Sequence, residues 1–493
     1  MYKLSATDAG FLYAETPLCP MHVASVQVMA LPDGVSEDEF IASLKPFIAA
    51  RRHLVPYLTN RLQATPFDLD HPLWVRDPDF DIDRHIYRVD VPAPGGQAEL
   101  ERTIAELHAT PMDRRRPLWE TAVLCGLADG DGSRNRRVAY YNRVHHACLD
   151  GMAGQAATMT LMDTQPEPRP VPTPPAEFTA RPAHHDALSL MLDAWQNFAV
   201  AQVDQFTGWP KRLDASARLW QRALDSSKGL GAPQAPAPKT NFNRPIGAAR
   251  TFAVGELSVA DIKAVGRALN ATLNDVFLAV CGGGLRRYFE AKGELPKASL
   301  IAGCPVSLRQ PGDTSLNNQV TMMQVALGTG IADAKARIAA VAASARAAKA
   351  TTADAAPLLS GEAALPGLPA ALRNAALWAE RTRAGDGPQS INLVISNVPG
   401  PRQTLYSNGA RMLTHYPVSI AAHGTGVNLT VQSYDGVLYL GITACAKALP
   451  DADRLRDEML AEFIDLKAAV LPAKVHALSV APPPPVETLP RVA

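Results

Sequence analysis

The chain has 493 residues, of which 47% are hydrophobic and 19% charged, so it exceeds one hydrophobic core and favours two or three domains. Its 48 basic and 48 acidic residues give a formal net charge of zero, which excludes the broad basic field of a nucleic-acid-binding protein. Local clusters at Arg114-Arg115-Arg116 and at Arg134 with Arg136-Arg137 read as solvated surface, or else as contacts for an anionic cofactor or lipid head groups. The six cysteines lack metal-site spacing and read as reduced, mostly buried thiols, which points to a cytosolic face. The first residues carry no apolar signal core, so no secretory peptide is expected. No uncharged apolar run reaches the roughly 18 residues of a membrane span, although a peripheral position remains open.

In chain order, residues 22–28 alternate as a strand. Residues 36–52 form a helical pattern, with Ser36 and Glu39 spaced as a capping box and Pro46 expected to kink or interrupt it. Residues 119–125 and 137–144 read as strands around the polar loop 129–133, and residues 152–162 as a helix. His145 to Gly151 therefore lie at a strand-to-helix junction, where side chains held on a rigid scaffold can face a cleft. Prolines 166, 168, 170, 172, 174 and 175 then make a stiff extended connection. Residues 186–224 are amphipathic, with a break near Gly208-Trp209-Pro210. Packing against the body is the default for them. A membrane-facing or lid role stays open because Trp195, Phe198, Phe206 and Trp209 supply interface-seeking rings.

The Gly- and Pro-rich stretch 229–238 leads into a second half. There 250–254, 300–306, 320–327, 391–398, 417–420, 426–434 and 437–445 read as strands. Asp435-Gly436 is a hairpin turn, and helices are expected after Ser258, at 272–290 and at 452–471. The expected organisation is an α/β (α+β) protein with N-terminal domain 1–165, connector 166–240, C-terminal domain 241–478 and a flexible Pro-rich tail 479–493.

The sharpest chemical signal is His145-His146-Ala147-Cys148-Leu149-Asp150-Gly151. A neutral imidazole takes a proton from a hydroxyl near physiological pH, a nearby carboxylate fixes the segment that presents it, and Gly151 permits a tight turn or close approach. A metal site is disfavoured, since adjacent strand side chains point oppositely and no further ligand has suitable spacing. No G-x-S-x-G elbow, C-x-x-C, G-x-G-x-x-G or phosphate loop is present. From the residues alone, the histidine pair reads equally as structural or catalytic.

The same run matches the HHxxxDG signature of the coenzyme A-dependent acyltransferase superfamily. The opening also counts: Leu4-Ser5 to Asp8, Phe11-Leu12-Tyr13, Glu15-Thr16 and Pro20-Met21-His22-Val23. Together with Pro117-Leu118-Trp119-Glu120, Asn274-Asp275-Val276 and Asn392 before Ser396-Asn397-Val398-Pro399-Gly400-Pro401, it resembles bacterial wax ester synthase/diacylglycerol acyltransferases over nearly the whole chain.

That resemblance implies two chloramphenicol acetyltransferase-like domains, each a mixed sheet packed with helices, enclosing a central channel. It implies His146 as general base, with His145 in support and Asp150 as an architectural anchor for the loop. Gly151, Asn274, Asp275, Pro117, Leu118, Trp119, Ser396 and Asn397 would support the site. Asn274 is read either as facing substrate or as a helix cap or buried amide contact, and Ser307 is a further oxyanion-donor candidate. No tightly bound cofactor is expected, with acyl-CoA as donor substrate and a fatty alcohol or diacylglycerol as acceptor. Cations for the coenzyme are not assigned, and Arg244 and Arg250 read as surface or structural. A condensation-type enzyme or a nonenzymatic lipid-binding protein on the same fold are the alternatives. The implied location is cytoplasmic, or peripheral on the inner membrane or lipid droplets.

Overall fold

The computed structural model describes residues 1–128, 136–179, 186–224, 236–309, 317–359, 369–381 and 387–471. The expected loop 129–133, residues 229–235 of the Gly/Pro stretch and the Pro-rich tail lie outside the described residues.

Local patterning locates most elements. Residues Trp119–Cys125 and Val437–Cys445 are strands with the expected limits. The helix Glu37–Arg51 starts at the Ser36/Glu39 capping box and continues through Pro46, which costs it one main-chain bond without ending it. Asp435 and Gly436 both have positive φ (44° and 82°), the backbone a two-residue hairpin with the right-handed twist requires.

Among the described residues the strands form three sheets. The sheet carrying the histidine motif runs in the order Tyr406–Ser407, Ala410–Met412, His22–Ala30, Arg137–His145, Trp119–Cys125, Ile86–Asp90, with Tyr416–Val418 also pairing to His22–Ala30. The second runs Val320–Ala326, Ile301–Ser307, Leu393–Val398, Val427–Tyr434, Val437–Cys445, Arg250–Ser258. Each mixes parallel and antiparallel pairs. A small sheet of Tyr2–Lys3, Leu73–Arg76 and Asn60–Gln63 completes the set. The N-terminal sheet is thus built from both ends of the chain: Met412 pairs with Met29 and Tyr416 with Val26.

Helix Leu273–Ala291 lies in the core of the second half, against the sheet and the helix Ala452–Val470. Its three consecutive glycines make that approach possible. A Cβ on Gly282 would lie 2.1 Å from the Leu327 carbonyl oxygen, and one on Gly284 would lie 2.8 Å from the Met459 Cα. Here glycine serves closeness, against its helix penalty of about 1 kcal/mol.

The connector forms helices Ala187–Thr207 and Trp209–Leu224, broken at Gly208 as the sequence indicates. Leu190 and Ala194 of the first are buried, and Asn197 Nδ2 donates to Asp70 Oδ2 at 2.9 Å. The opposite face is also apolar: Leu188, Leu192, Trp195, Val203 and Phe206 are exposed. Packing therefore accounts for only one face of this helix. Among the described residues no single helix is long and apolar enough to cross a membrane.

All six cysteines are free and buried.

Candidate active site

The histidine motif sits where the strand Arg137–His145 gives way to the helix Gly151–Leu161. Main-chain bonds fix the junction. The His145 N–H donates to the Leu118 carbonyl at 3.0 Å, and the His146 N–H to the Met21 carbonyl at 2.8 Å. The two imidazoles have different surroundings.

His145 is fully buried. Its Nδ1 accepts the Ala147 N–H at 3.1 Å, which assigns the ring proton to Nε2, and Nε2 lies 3.2 Å from Glu15 Oε2. Arg114 Nε donates to Glu15 Oε1 at 2.9 Å, and the Met21 N–H to Oε2 at 3.0 Å. Burial alone would raise the Glu15 carboxyl. The His145 contact, Arg114 and the Met21 N–H outweigh it and bring the group down to about 2. Burial lowers the His145 imidazole, with Glu15 opposing. A fixed, uncharged ring backed by a carboxylate orients the strand end.

His146 lines a cavity of about 240 Å³ between the two halves. The Phe11 ring stacks on its imidazole, with centroids 4.1 Å apart and planes 4° from parallel. Burial lowers the imidazole below its ordinary value; its own carbonyl, Asn318 and Asp150 oppose this, and His145 adds to it. The ring is therefore neutral at pH 7, the state a general base needs.

Asp150 is an anchor on two sides. Its Oδ1 accepts the Ala153 N–H at 2.9 Å and so caps the helix Gly151–Leu161. Its Oδ2 accepts from Arg309 Nη2 at 2.9 Å and from the Gln319 N–H at 3.3 Å, which ties the motif to the other half of the molecule. Gly151 has no positive φ. What it permits is close approach, since a Cβ there would meet Val398 Cγ2 at 3.1 Å.

The other expected site residues divide. Trp119 and Ser396 line the cavity with His146, Asp150 and Gly151. Trp119 Nε1 donates to the Leu58 carbonyl at 3.0 Å. Pro117 and Leu118 are buried, and Leu118 acts through the carbonyl that holds His145. Asn274, Asp275 and Asn397 are not among the residues that line this cavity. Thr272, not Asn274, caps the helix Leu273–Ala291, with Asp275 closing the capping box. Asn274 makes the amide contact instead: its Oδ1 accepts Asn397 Nδ2 at 3.2 Å. Ser307 also stays outside the cavity, its Oγ accepting the Arg309 N–H at 3.2 Å.

The basic cluster resolves into pairs, with Arg114 on Glu15 and Arg115 on Asp113 at 2.9 Å. Arg250 is buried and donates to the carbonyls of Gly247 (2.7 Å) and Leu18 (2.6 Å). Among the described residues no group of three or more His, Cys, Asp and Glu is placed to hold a metal ion.

Four site residues escape sequence reasoning. Glu15 and Asp8 are visible only as parts of the opening run. Arg309 and Asn318 fall in the sequence between strands Ile301–Ser307 and Val320–Ala326 and carry no local signal.

Comparison with known proteins places the chain in a family. The family model for the wax ester synthase/diacylglycerol acyltransferase catalytic domain matches residues 4–277, and that for the WS/DGAT C-terminal domain matches residues 316–467. Rv1760 of Mycobacterium tuberculosis, provisionally named a diacylglycerol O-acyltransferase, is 35% identical over 471 residues, covering 94% of this chain and 90% of its own. The solved wax ester synthase/diacylglycerol acyltransferase of Marinobacter aquaeolei VT8 superposes with a TM-score of 0.66 at 26% identity, covering 95% of this chain and all (100%) of that one. The starter condensation domain of rhizomide synthetase shares the fold alone, with a TM-score of 0.54 at 16% identity over 95% of this chain and 94% of its own.

Proposed function

Because the chain belongs to the wax ester synthase/diacylglycerol acyltransferase family, whose members are CoA-dependent acyltransferases, we propose that it moves a fatty acyl group from acyl-CoA to the hydroxyl of a long-chain alcohol or a diacylglycerol. The products are a wax ester or triacylglycerol and free CoA. One observation carries this reading: the imidazole of His146 lines a cavity to which both halves contribute.

His146 takes the proton of the acceptor hydroxyl as its oxygen attacks the thioester carbonyl carbon. The tetrahedral intermediate collapses with loss of the C–S bond, and the imidazolium returns its proton to the departing thiolate sulfur. No acyl-enzyme is needed, so both substrates are held together and their positioning carries much of the rate. Asp150 and His145 hold the base in place. Ser396 supplies a hydroxyl on the cavity wall to support the intermediate, while Asn274 and Asn397 join the helix Leu273–Ala291 to the strand Leu393–Val398.

The apolar wall of Leu44, Ile48, Leu58 and Ile86 suits an acyl or alkyl chain. At about 240 Å³ the cavity falls below the roughly 300–1,000 Å³ of an ordinary ligand pocket, so a long chain must extend beyond it. The division into 1–165 and 241–478 around the connector 166–240 is supported by a sheet centred in each half, with residues 406–418 crossing over.

Purified protein should release CoA from palmitoyl-CoA only when an acceptor is supplied, as read by a thiol reagent. A panel of hexadecanol, dioleoylglycerol and shorter alcohols ranks the acceptors. Release that ignores every acceptor would overturn the reading.

The exposed face Leu188, Leu192, Trp195, Val203 and Phe206, with Trp209, Lys211 and Trp220 on the next helix, suits the surface of a membrane or lipid droplet, where rings sit at the head groups and a cation meets anionic lipid. Flotation with anionic vesicles should recover the full-length protein. The double variant Trp195→Ser/Phe206→Ser should cut the bound fraction at least fivefold; unchanged flotation would place the lipid contact elsewhere.

A further inference from the structure

Asn318 comes from the second half and is buried directly behind the base. Its Nδ2 donates to the His146 carbonyl at 2.7 Å and to Asp8 Oδ1 at 2.7 Å, and its main-chain N–H donates to the same Asp8 oxygen at 2.8 Å. Both side-chain partners are acceptors, so the amide can have only one orientation, with nitrogen toward them and Oδ1 turned away. Asp8 is itself fixed, its Oδ2 accepting Ser5 Oγ–H at 2.7 Å and its N–H donating to Ser5 Oγ at 3.1 Å.

Asn318 Oδ1 and His146 Nδ1 are both buried without a hydrogen-bond partner in good geometry. The His146 carbonyl that Asn318 Nδ2 holds at 2.7 Å is the first of the groups that favour the proton on its own ring, and the Asn318 side chain adds to it. The remaining charged or titratable neighbours of the ring are His145 on the same strand end, Asp150 with Arg309 at the helix cap, and Asp8 behind Asn318.

We propose that Asn318, clamped by Asp8, is a positioning residue for the catalytic base: it holds the His146 carbonyl where it favours a proton on the ring's own Nδ1, the tautomer that leaves Nε2 free to take the substrate proton. This rests on His146 being the base. The Asn318 side chain also favours the protonated ring, against the burial that disfavours it. A base works when deprotonated, so kcat/KM rises as pH passes upward through its pKa. Removing a group that raises this pKa must move the acid limb of the profile to lower pH, while loss of the preferred tautomer lowers kcat.

The test is the acceptor-dependent release of CoA by full-length Asn318→Ala and Asp8→Asn, with folding checked by circular dichroism. For Asn318→Ala we expect kcat to fall at least tenfold, the KM for palmitoyl-CoA to stay within twofold, and the acid limb of kcat/KM to shift to lower pH. Asp8→Asn, which keeps the shape but weakens the clamp, should move both readouts in the same directions by less, and it decides the matter alone if Asn318→Ala does not fold. Wild-type kcat, an unmoved limb, or a loss shared equally with KM would overturn the proposal. An inactive folded His146→Ala beside a normal Asn318→Ala would sink this inference only. An active His146→Ala would sink the reading beneath it.

Discussion

Folded His146→Ala should lose about 10²–10⁴-fold in kcat, the ordinary contribution of a positioned acid–base group. The KM for palmitoyl-CoA should change little, since the imidazole contributes one wall of a cavity that many residues line. The stacked Phe11 ring would lose its partner, yet His146 is only half-buried, so the deletion leaves a gap at the cavity wall rather than in the core. The measurement is single-substrate saturation at fixed acceptor, with a urea melt to confirm the fold. Wild-type turnover in this variant would end the base mechanism. The contrast with His145 is informative, because that ring is wholly enclosed and braced by Glu15. His145→Ala should damage stability and activity together.

The second large effect is expected at Arg309. Its Nη2 donates to Asp150 Oδ2 at 2.9 Å and to the Asn317 carbonyl at 2.8 Å, and the Asp150 side chain is only 2% exposed. Arg309→Met leaves a buried carboxylate without its guanidinium. Breaking such a pair from one side costs roughly 3–5 kcal/mol. Activity should fall with stability, because the same carboxylate caps the helix behind His146. Asp150→Asn keeps an oxygen for the Ala153 N–H and should be milder. The double variant Asp150→Asn/Arg309→Met should recover part of the stability lost in Arg309→Met, which a double-mutant cycle in urea would measure. Strict additivity would mean that the two side chains are not coupled.

The difference between these two sites explains what the sequence makes legible. The strand–helix junction around His146 is local: alternation ends at His145, a helical pattern begins at Gly151, and Asp150 stands at the cap position. The capping box at Ser36 and Glu39 and the turn at Asp435-Gly436 are visible for the same reason. Arg309 is not, because its meaning lies in a contact 159 residues away along the chain. Asn318 is hidden likewise, by 172 residues from His146 and 310 from Asp8. Asn274 shows the opposite limit. Its place near a helix start is readable, but whether Thr272 or Asn274 takes the cap depends on backbone geometry, and Thr272 does. Nor does the exposed second face of the helix Ala187–Thr207 follow from its amphipathic pattern, since only the fold decides which stripe is covered.

The crossing of residues 406–418 into the N-terminal sheet has a consequence for how the enzyme can be taken apart. Among the described residues the strand His22–Ala30 finds its outer neighbours only in Ala410–Met412 and Tyr416–Val418, which are synthesised almost 400 residues later. A fragment ending before that segment would leave a bare strand edge next to the histidine motif, prone to self-association. During synthesis the first half must wait for the second to seal it. Swinging the halves apart would break these strand pairs.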